Sequence, residues 1–230
     1  MLTLLTYPAN FGQSSLSPFC VKAEYLLNMS GQSWQREDTN DPRNAPRGKL
    51  PVLRTPEGLV HDSDYIKTYL ENKGADFDGH LSPKDLVTAH ALRRMVEEHM
   101  YFTLVLDRWE RDTVWPTIRE TYFFEIPKIL RSLIAGGLRK GLLKGMNVQG
   151  LGRLTWDERM ERVEKDLDCI RAQLGDKPFL FGDKPTSFDA STASMLGAAR
   201  STPVETTLSK RVSQDALLCA YVDRAAEAMG

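Results

Sequence analysis

Along residues 1–75, segments with the apolar spacing of strands alternate with segments that have the apolar spacing of helices. Leu2, Leu4 and Leu5 predict a short strand over residues 1–7. Ser17 and Pro18 then form a serine N-cap followed by proline at the first helical position, which predicts a helix that ends before Gly31. Further predicted strands cover residues 34–39, 50–54 and 58–61, with a loop or broken helix over 40–48 and a helix over 63–72.

The remainder of the chain has helical periodicity. Residues 74–83 are rich in Asp, Gly, Ser and Pro and predict a linker, which we place at residues 76–84 between a domain over 1–75 and an all-helical domain over 85–230. Apolar residues at steps of three and four predict an amphipathic helix over 155–174. Thr186 and Asp189 have the spacing of a capping box and predict the start of a small-residue helix. The order β, α, β, loop, β, β, α before the linker is typical of a thioredoxin-like domain with a mixed four-stranded sheet.

Residues 130–152 fit the helical pattern less well. They contain six glycines, several leucines and four basic residues, and no acidic residue. A basic, apolar helix could lie on an anionic membrane. Because glycine weakens helices, we instead predict a loop that closes over a cleft.

Composition narrows the classes of function. A hydrophobic fraction of 41%, a charged fraction of 27% and a net charge of −1 are typical of a soluble globular protein and argue against a nucleic-acid partner. Cys20, Cys169 and Cys219 are odd in number and widely spaced, without a metal-ligand pattern, which suits a reducing compartment. No basic-then-apolar leader and no membrane-length apolar run is present, so we expect a cytoplasmic protein without a metal.

Two stretches contain the chemistry that distinguishes this chain. Pro51 lies inside an apolar run that would otherwise form a buried strand, so we predict a cis Leu50–Pro51 bond, with the main chain of Leu50 free to bind an extended peptide. Asp62 and Ser63 precede an amphipathic pattern and predict a capped helix start, which is an anion site. An alternative with equal weight is an edge strand with a proline, followed by an ordinary capped helix.

Together these features resemble the glutathione transferase superfamily. The thioredoxin-like order, Gly48-Lys49-Leu50-Pro51, Asp62-Ser63 and Gly182-Asp183-Lys184-Pro185-Thr186 with Asp189 are similar to its motifs in order and spacing. Ser17-Pro18-Phe19-Cys20-Val21-Lys22 and Phe179-Leu180-Phe181-Gly182-Asp183 resemble the branch around failed axon connections, metaxins and their bacterial relatives. The resemblance implies a glutathione site at Leu50, Pro51, Asp62 and Ser63, a small hydrophobic electrophile, and a homodimer. It also assigns the segment around Thr186 and Asp189 to folding.

The residue that stabilises the glutathione sulfur is open among three candidates. Ser17 lies at a helix start, where its hydroxyl and nearby amides can converge on an anion, and we favour it as the donor with Cys20 as a secondary catalytic residue. Tyr7 ends the first strand, near the catalytic tyrosine of several transferase classes. Each has a structural alternative: a side chain that faces the core for Tyr7, an ordinary N-cap for Ser17 and a small buried residue for Cys20.

The sequence therefore predicts a glutathione transferase. One alternative is a non-catalytic, metaxin-like scaffold, which the basic glycine-rich segment favours. Another is a glutathione-dependent thiol oxidoreductase that uses Cys20, which serine at position 17 disfavours. Tyr101, Phe102, Arg108 and Trp109 are candidates for an electrophile pocket, although their pattern favours ordinary core or interface packing for each.

Overall fold

The computed structural model describes residues 1–230, the side chain of Asn44 excepted. Its N-terminal part contains a mixed sheet with the strand order β2-β1-β3-β4, in which β1 runs parallel to β2 and antiparallel to β3, and β3 antiparallel to β4. The strands are β1 Leu2–Thr6, β2 Trp34–Asp38, β3 Val52–Thr55 and β4 Gly58–His61. Two short 3₁₀ turns, Pro42–Asn44 and Pro46–Gly48, lie in the segment between β2 and β3 that was predicted as a loop or broken helix.

Two helices pack on this sheet, and helices make up the remainder of the chain. The first two are α1 Pro18–Met29 and α2 Ser63–Asn72. The later helices are α3 Pro83–Met95, α4 Tyr101–Trp109, α5 Trp115–Tyr122, α6 Lys128–Gln149, α7 Trp156–Leu174, α8 Ser187–Arg200, α9 Thr207–Ser213 and α10 Ala216–Met229. A π-helical turn, Val96–Met100, joins α3 to α4. The predicted fold class, a thioredoxin-like sheet followed by an all-helical part, is confirmed.

Local capping explains where several helices begin. Thr186 and Asp189 form a reciprocal capping box at α8, as their spacing predicts, and Thr155 and Glu158 form another at α7. The buried Asp189 carboxylate also accepts a hydrogen bond from the Leu180 amide at 2.9 Å. Helix α8 is buried along most of its length and packs against α1, so it forms the centre of the molecule.

The prediction of a loop over residues 130–152 is wrong, because residues Lys128–Gln149 form the 22-residue helix α6. Arg131 and Arg139 attach this helix to its neighbours. Arg131 donates to the carbonyl oxygens of Phe124 and Ile126, and Arg139 donates to the Trp109 carbonyl oxygen at 2.6 Å. These contacts offset the low helix propensity of the glycines.

Most of the surface of α6 is open to solvent. Its exposed apolar side chains are Ile129, Leu130, Leu133, Ile134, Leu138 and Val148. None of the helices in the described part of the chain is both long enough and apolar enough to cross a membrane.

Candidate functional site

A cleft of about 630 Å³ lies where the sheet and α1 meet the helices that follow α2. One wall carries Ser17, Leu50, Pro51, Asp62 and Ser63, which the sequence had singled out from separate stretches. The opposite wall comes from the π turn, α4, α5 and α6. The fold therefore brings together all of the predicted site residues except Cys20.

At the start of α1, the Ser17 side chain does not cap its own helix. Ser17 has extended backbone angles and its side chain makes no cap hydrogen bond, although its carbonyl oxygen accepts from the amides of Cys20 and Val21. Because Pro18 has no N–H, Phe19 supplies the first amide of the helix. This leaves a hydroxyl and a helix N-terminus directed at the cleft, an arrangement suited to an anion.

Cys20 lies outside this arrangement. Its side chain is fully buried beneath the cleft, in a small cluster with Leu50 and Val52. Burial raises the pKa of the Cys20 thiol, and the nearby hydroxyls of Thr6 and Ser17 only partly oppose this effect. The geometry therefore disfavours direct chemistry at Cys20, because a buried thiol that stays protonated is a poor nucleophile.

The Leu50–Pro51 peptide bond is cis, as predicted. The Leu50 side chain is buried beside Cys20, and its main chain borders the cleft just before β3 begins. Within the described residues, neither the N–H nor the C=O of Leu50 has a backbone partner. Leu50 therefore presents one donor and one acceptor to an extended peptide.

The start of α2 separates the roles of Asp62 and Ser63. Asp62 has a positive φ of 74°, and its carboxylate caps the helix by accepting from the Asp64 amide at 2.9 Å. Ser63 is only 3% exposed yet lines the cleft. A serine hydroxyl on the cleft wall at a helix start is suited to receive a carboxylate.

Behind Ser63 lies an ion network that the sequence did not predict. Lys22 of α1 is fully buried, and its Nζ lies 2.6 Å from both Asp64 Oδ1 and Glu97 Oε1. Burial raises the pKa of the Asp64 carboxyl, but Lys22 and Arg93 outweigh this effect and bring the pKa down to about 2. The network joins α1 and α2 to the π turn, and so fixes one wall of the cleft against the other.

The far end of the cleft is largely apolar and aromatic. Phe102, Val105, Trp109, Leu142 and Met146 line it. This lining includes Phe102 and Trp109, two of the candidates for an electrophile pocket.

Three phenols also border the cleft: Tyr7 just after β1, Tyr101 at the start of α4 and Tyr122 at the end of α5. Burial raises the pKa of Tyr101 to about 12 and that of Tyr7 well above its usual range, so both stay protonated at neutral pH. Each can therefore donate a proton or a hydrogen bond.

Arg108 lies beneath the start of α1. It is 5% exposed, and its Nη2 donates to the Ala198 carbonyl oxygen at 2.6 Å. Its Nη1 lies 3.4 Å from the carbonyl oxygen of Leu16, which also accepts from the Tyr122 hydroxyl at 3.0 Å. This buried guanidinium therefore contacts the main chain of Leu16, the residue that precedes Ser17.

Sequence reasoning missed other charged residues at the cleft. Arg47 and Lys49 lie at its rim beside the cis proline, and their basic character was visible in the sequence before Leu50. Glu97 and Glu98 of the π turn also line it. No local pattern could have identified these two glutamates, because only the packing of the helical part against α2 brings them to the cleft.

Comparisons with known proteins agree with this geometry. The chain matches the glutathione S-transferase N-terminal domain over residues 18–114 and the glutathione S-transferase C-terminal domain over residues 163–225. It is 34% identical over 239 residues to the isoprene-epoxide–glutathione S-transferase of Rhodococcus sp. (strain AD45), covering 97% of each chain. It is 28% identical to mouse metaxin-1, covering 82% of this chain and 62% of that protein.

Among solved structures, a glutathione S-transferase from Methylobacterium radiotolerans, crystallised with glutathione sulfonate, is similar with a TM-score of 0.61. Its sequence identity is 20%, and the match covers 99% of this chain and 94% of that one. At that identity the similarity supports the fold alone. Together with the domain matches and the Rhodococcus relative, it leads to one conclusion: this chain belongs to the glutathione S-transferase family.

Proposed function

We propose that this protein is a glutathione transferase that ionises the thiol of glutathione at the start of α1 and transfers it to a small apolar electrophile. The observation that carries the proposal is the set of polar groups that line one wall of the cleft. The Leu50 main chain suits the cysteinyl backbone, the Ser63 hydroxyl suits the γ-glutamyl carboxylate, and the Ser17 hydroxyl suits the sulfur.

The thiolate would be stabilised by several weak effects acting on one atom. The Ser17 hydroxyl, the first free amide of α1 and the helix dipole each contribute about 1 kcal/mol. Together they would lower the thiol pKa by about two units, at about 1.4 kcal/mol per unit. The buried Arg108 guanidinium acts in the same direction, since a nearby positive charge favours the anion.

An epoxide is the first electrophile to test. The Rhodococcus relative is named for an epoxide substrate, and the far end of this cleft is apolar with two protonated phenols at its border. Thiolate attack on an epoxide carbon breaks the C–O bond, and the departing oxygen needs a proton. A phenol of Tyr101 or Tyr7 can supply that proton and regain one from water.

Ser17→Ala tests the assignment of the sulfur site, with Cys20→Ala as the matched control. Ser17→Ala should move the midpoint of the pH–rate profile upward by about one unit and leave glutathione affinity nearly unchanged. Cys20→Ala should change neither quantity. Loss of activity in Cys20→Ala, together with a mixed disulfide trapped at Cys20 in the parent protein, would support the thiol oxidoreductase instead.

A non-catalytic scaffold is the second candidate, and the exposed apolar face of α6 favours it. Retention on immobilised glutathione, with elution by free glutathione, distinguishes the two functions. A protein that is not retained and shows no binding in calorimetry would be the scaffold. We further propose a cytoplasmic location, because the three cysteines are free thiols, as suits a reducing compartment. We propose a homodimer by analogy with the family.

A further inference from the structure

The largest group of exposed apolar side chains in this protein lies on a single helix, α6. The most exposed of them are Ile129 at 92% and Leu133 at 75%. The helix lies between residues 18–114 and 163–225, the two segments that match the family domains. Its surface therefore needs an explanation from this chain's own residues.

These side chains are ordered along the helix. Leu130, Ile134 and Leu138 follow one another at steps of four residues, and Ile129 and Leu133 form the neighbouring row. Side chains four residues apart lie one above the other on a helix, so the two rows make a continuous stripe, the exposed apolar face of α6. A contiguous exposed patch of this kind marks an interaction surface.

The charge of α6 is entirely positive. Its 22 residues contain five basic side chains and no acidic one, although the net charge of the chain is −1. Lys128, Lys140 and Lys144 are exposed. Because Lys140 and Lys144 follow Leu133 by about two and three helical turns, they lie on the same side of the helix as the exposed apolar face.

The two arginines of α6 have a different role. Arg139 donates to the carbonyl oxygens of Trp109 and Glu110, at 2.6 Å in each case, and Arg131 pairs with Glu120. These contacts hold the helix against the rest of the protein, so the exposed face is formed before any partner binds. A preformed face avoids the cost of ordering a segment on association.

The charge of α6 selects the kind of surface that this face fits. Two copies of the chain that met through α6 would bring lysines together, and this repulsion opposes a symmetric contact. Nucleic acid would attract the lysines but leave the leucine and isoleucine side chains in water. A bilayer with anionic lipids matches both properties, since its headgroups attract lysine and its acyl boundary accepts apolar side chains.

We propose that the exposed apolar face of α6 binds the surface of an anionic membrane, with the helix lying in the plane of the headgroups. The glycines of α6 had counted against such a contact in the sequence, because they weaken helices. The folded helix removes that objection. The contact leaves the cleft unchanged, so it applies to an enzyme and to a scaffold alike.

Vesicle flotation with the full-length protein tests this contact. One set of vesicles is phosphatidylcholine alone, and the other is equal parts phosphatidylcholine and phosphatidylglycerol. The parent protein should float with the mixed vesicles at about 0.1 M salt and be largely released at about 1 M, where the Debye length is about threefold shorter. It should bind phosphatidylcholine alone about 10-fold or more weakly than the mixed vesicles.

Substitutions assign the binding to α6. Leu133→Gln should lower the partition coefficient onto the mixed vesicles about tenfold. Lys140→Gln combined with Lys144→Gln should lower it about fivefold for each lysine, and only on the anionic vesicles. Val87→Gln is the matched control, because Val87 is 72% exposed on α3, and it should bind as the parent does. All four positions are exposed, so each variant should unfold at the temperature of the parent protein.

Three results overturn the proposal: a parent protein that binds neither kind of vesicle, equal binding to both kinds, and binding that survives the α6 substitutions. Sedimentation of Leu133→Gln tests the other occupant, since a dimer that becomes a monomer would make this face an interface between copies instead. Retention on immobilised glutathione should be the same in all of these proteins, so the glutathione site is judged separately.

Discussion

Replacing the buried Lys22 with methionine should destabilise the protein strongly while keeping most of the hydrocarbon volume of the side chain. The substitution removes two ion contacts of 2.6 Å, one to Asp64 and one to Glu97. Asp64 is 35% exposed and retains Arg94, so it adds little to the loss. Glu97 is 5% exposed and becomes a buried carboxylate without its main cation.

Breaking a buried ion pair by removing one partner costs about 3–5 kcal/mol. We expect a loss of about 3 kcal/mol in the free energy of unfolding for Lys22→Met. The low end applies because the Ser191 hydroxyl still donates to Glu97 and Arg94 lies 3.6 Å from it. Urea unfolding at pH 7, followed by circular dichroism, measures the difference.

Two further variants make this measurement specific. Lys73→Met breaks a pair in which both partners are largely exposed, Lys73 and Glu57, and should leave the free energy of unfolding nearly unchanged. Lys22→Met combined with Glu97→Gln removes the stranded charge and should recover at least half of the lost stability. A Lys22→Met protein that unfolds within about 1 kcal/mol of the parent would refute the reasoning, since it would mean that water or rearrangement already compensates Glu97.

Four other outcomes are expected. Ser63→Ala should weaken glutathione binding by about 1–2 kcal/mol in calorimetry, and unchanged affinity would remove Ser63 from the site. Arg108→Met should raise the midpoint of the pH–rate profile by about one unit, because it removes a buried cation near the sulfur; an unmoved midpoint would limit Arg108 to holding the Leu16 carbonyl. The pKa of Asp64 is lowered to about 2, so its contribution to stability is present above about pH 4 and is lost as the pH falls toward 2. Urea unfolding across that range should show a fall in the free energy of unfolding that is about 1–2 kcal/mol larger in the parent than in Asp64→Asn. Sedimentation at micromolar concentration should give about twice the chain mass of 26.0 kDa, and the chain mass itself would refute the dimer.

Local signals in the sequence were sufficient for the elements that carry the proposed glutathione site. The helix over Ser63–Asn72 and the strand over Gly58–His61 begin and end where the pattern predicts, because an aspartate cap and a glycine turn determine their bounds. The proline within an apolar run likewise identified the cis bond at Leu50–Pro51. Local chemistry also suggested Ser17 as a helix start, although its hydroxyl remains unused by the helix.

Long-range contacts account for what the sequence could not predict. Glycine costs about 1 kcal/mol relative to alanine in a helix, so the glycines of α6 predict a loop. Arg131 and Arg139 reverse that preference through carbonyl groups that lie outside α6. The partners of Lys22 are distant in sequence too, and a buried lysine on the first helix gives no sign of where its counter-charges lie.

The pairing of Lys22 with Glu97 also bears on how this architecture can evolve. The sheet-containing part has the size and element order of an independent module, yet its first helix holds a lysine whose buried counter-ion belongs to the helical part. A gene fusion that moved residues 1–75 onto another helical part would leave an ammonium group without that carboxylate. Exchange of halves between family members is therefore restricted to donors that supply an acid at the equivalent turn, or that also replace the lysine.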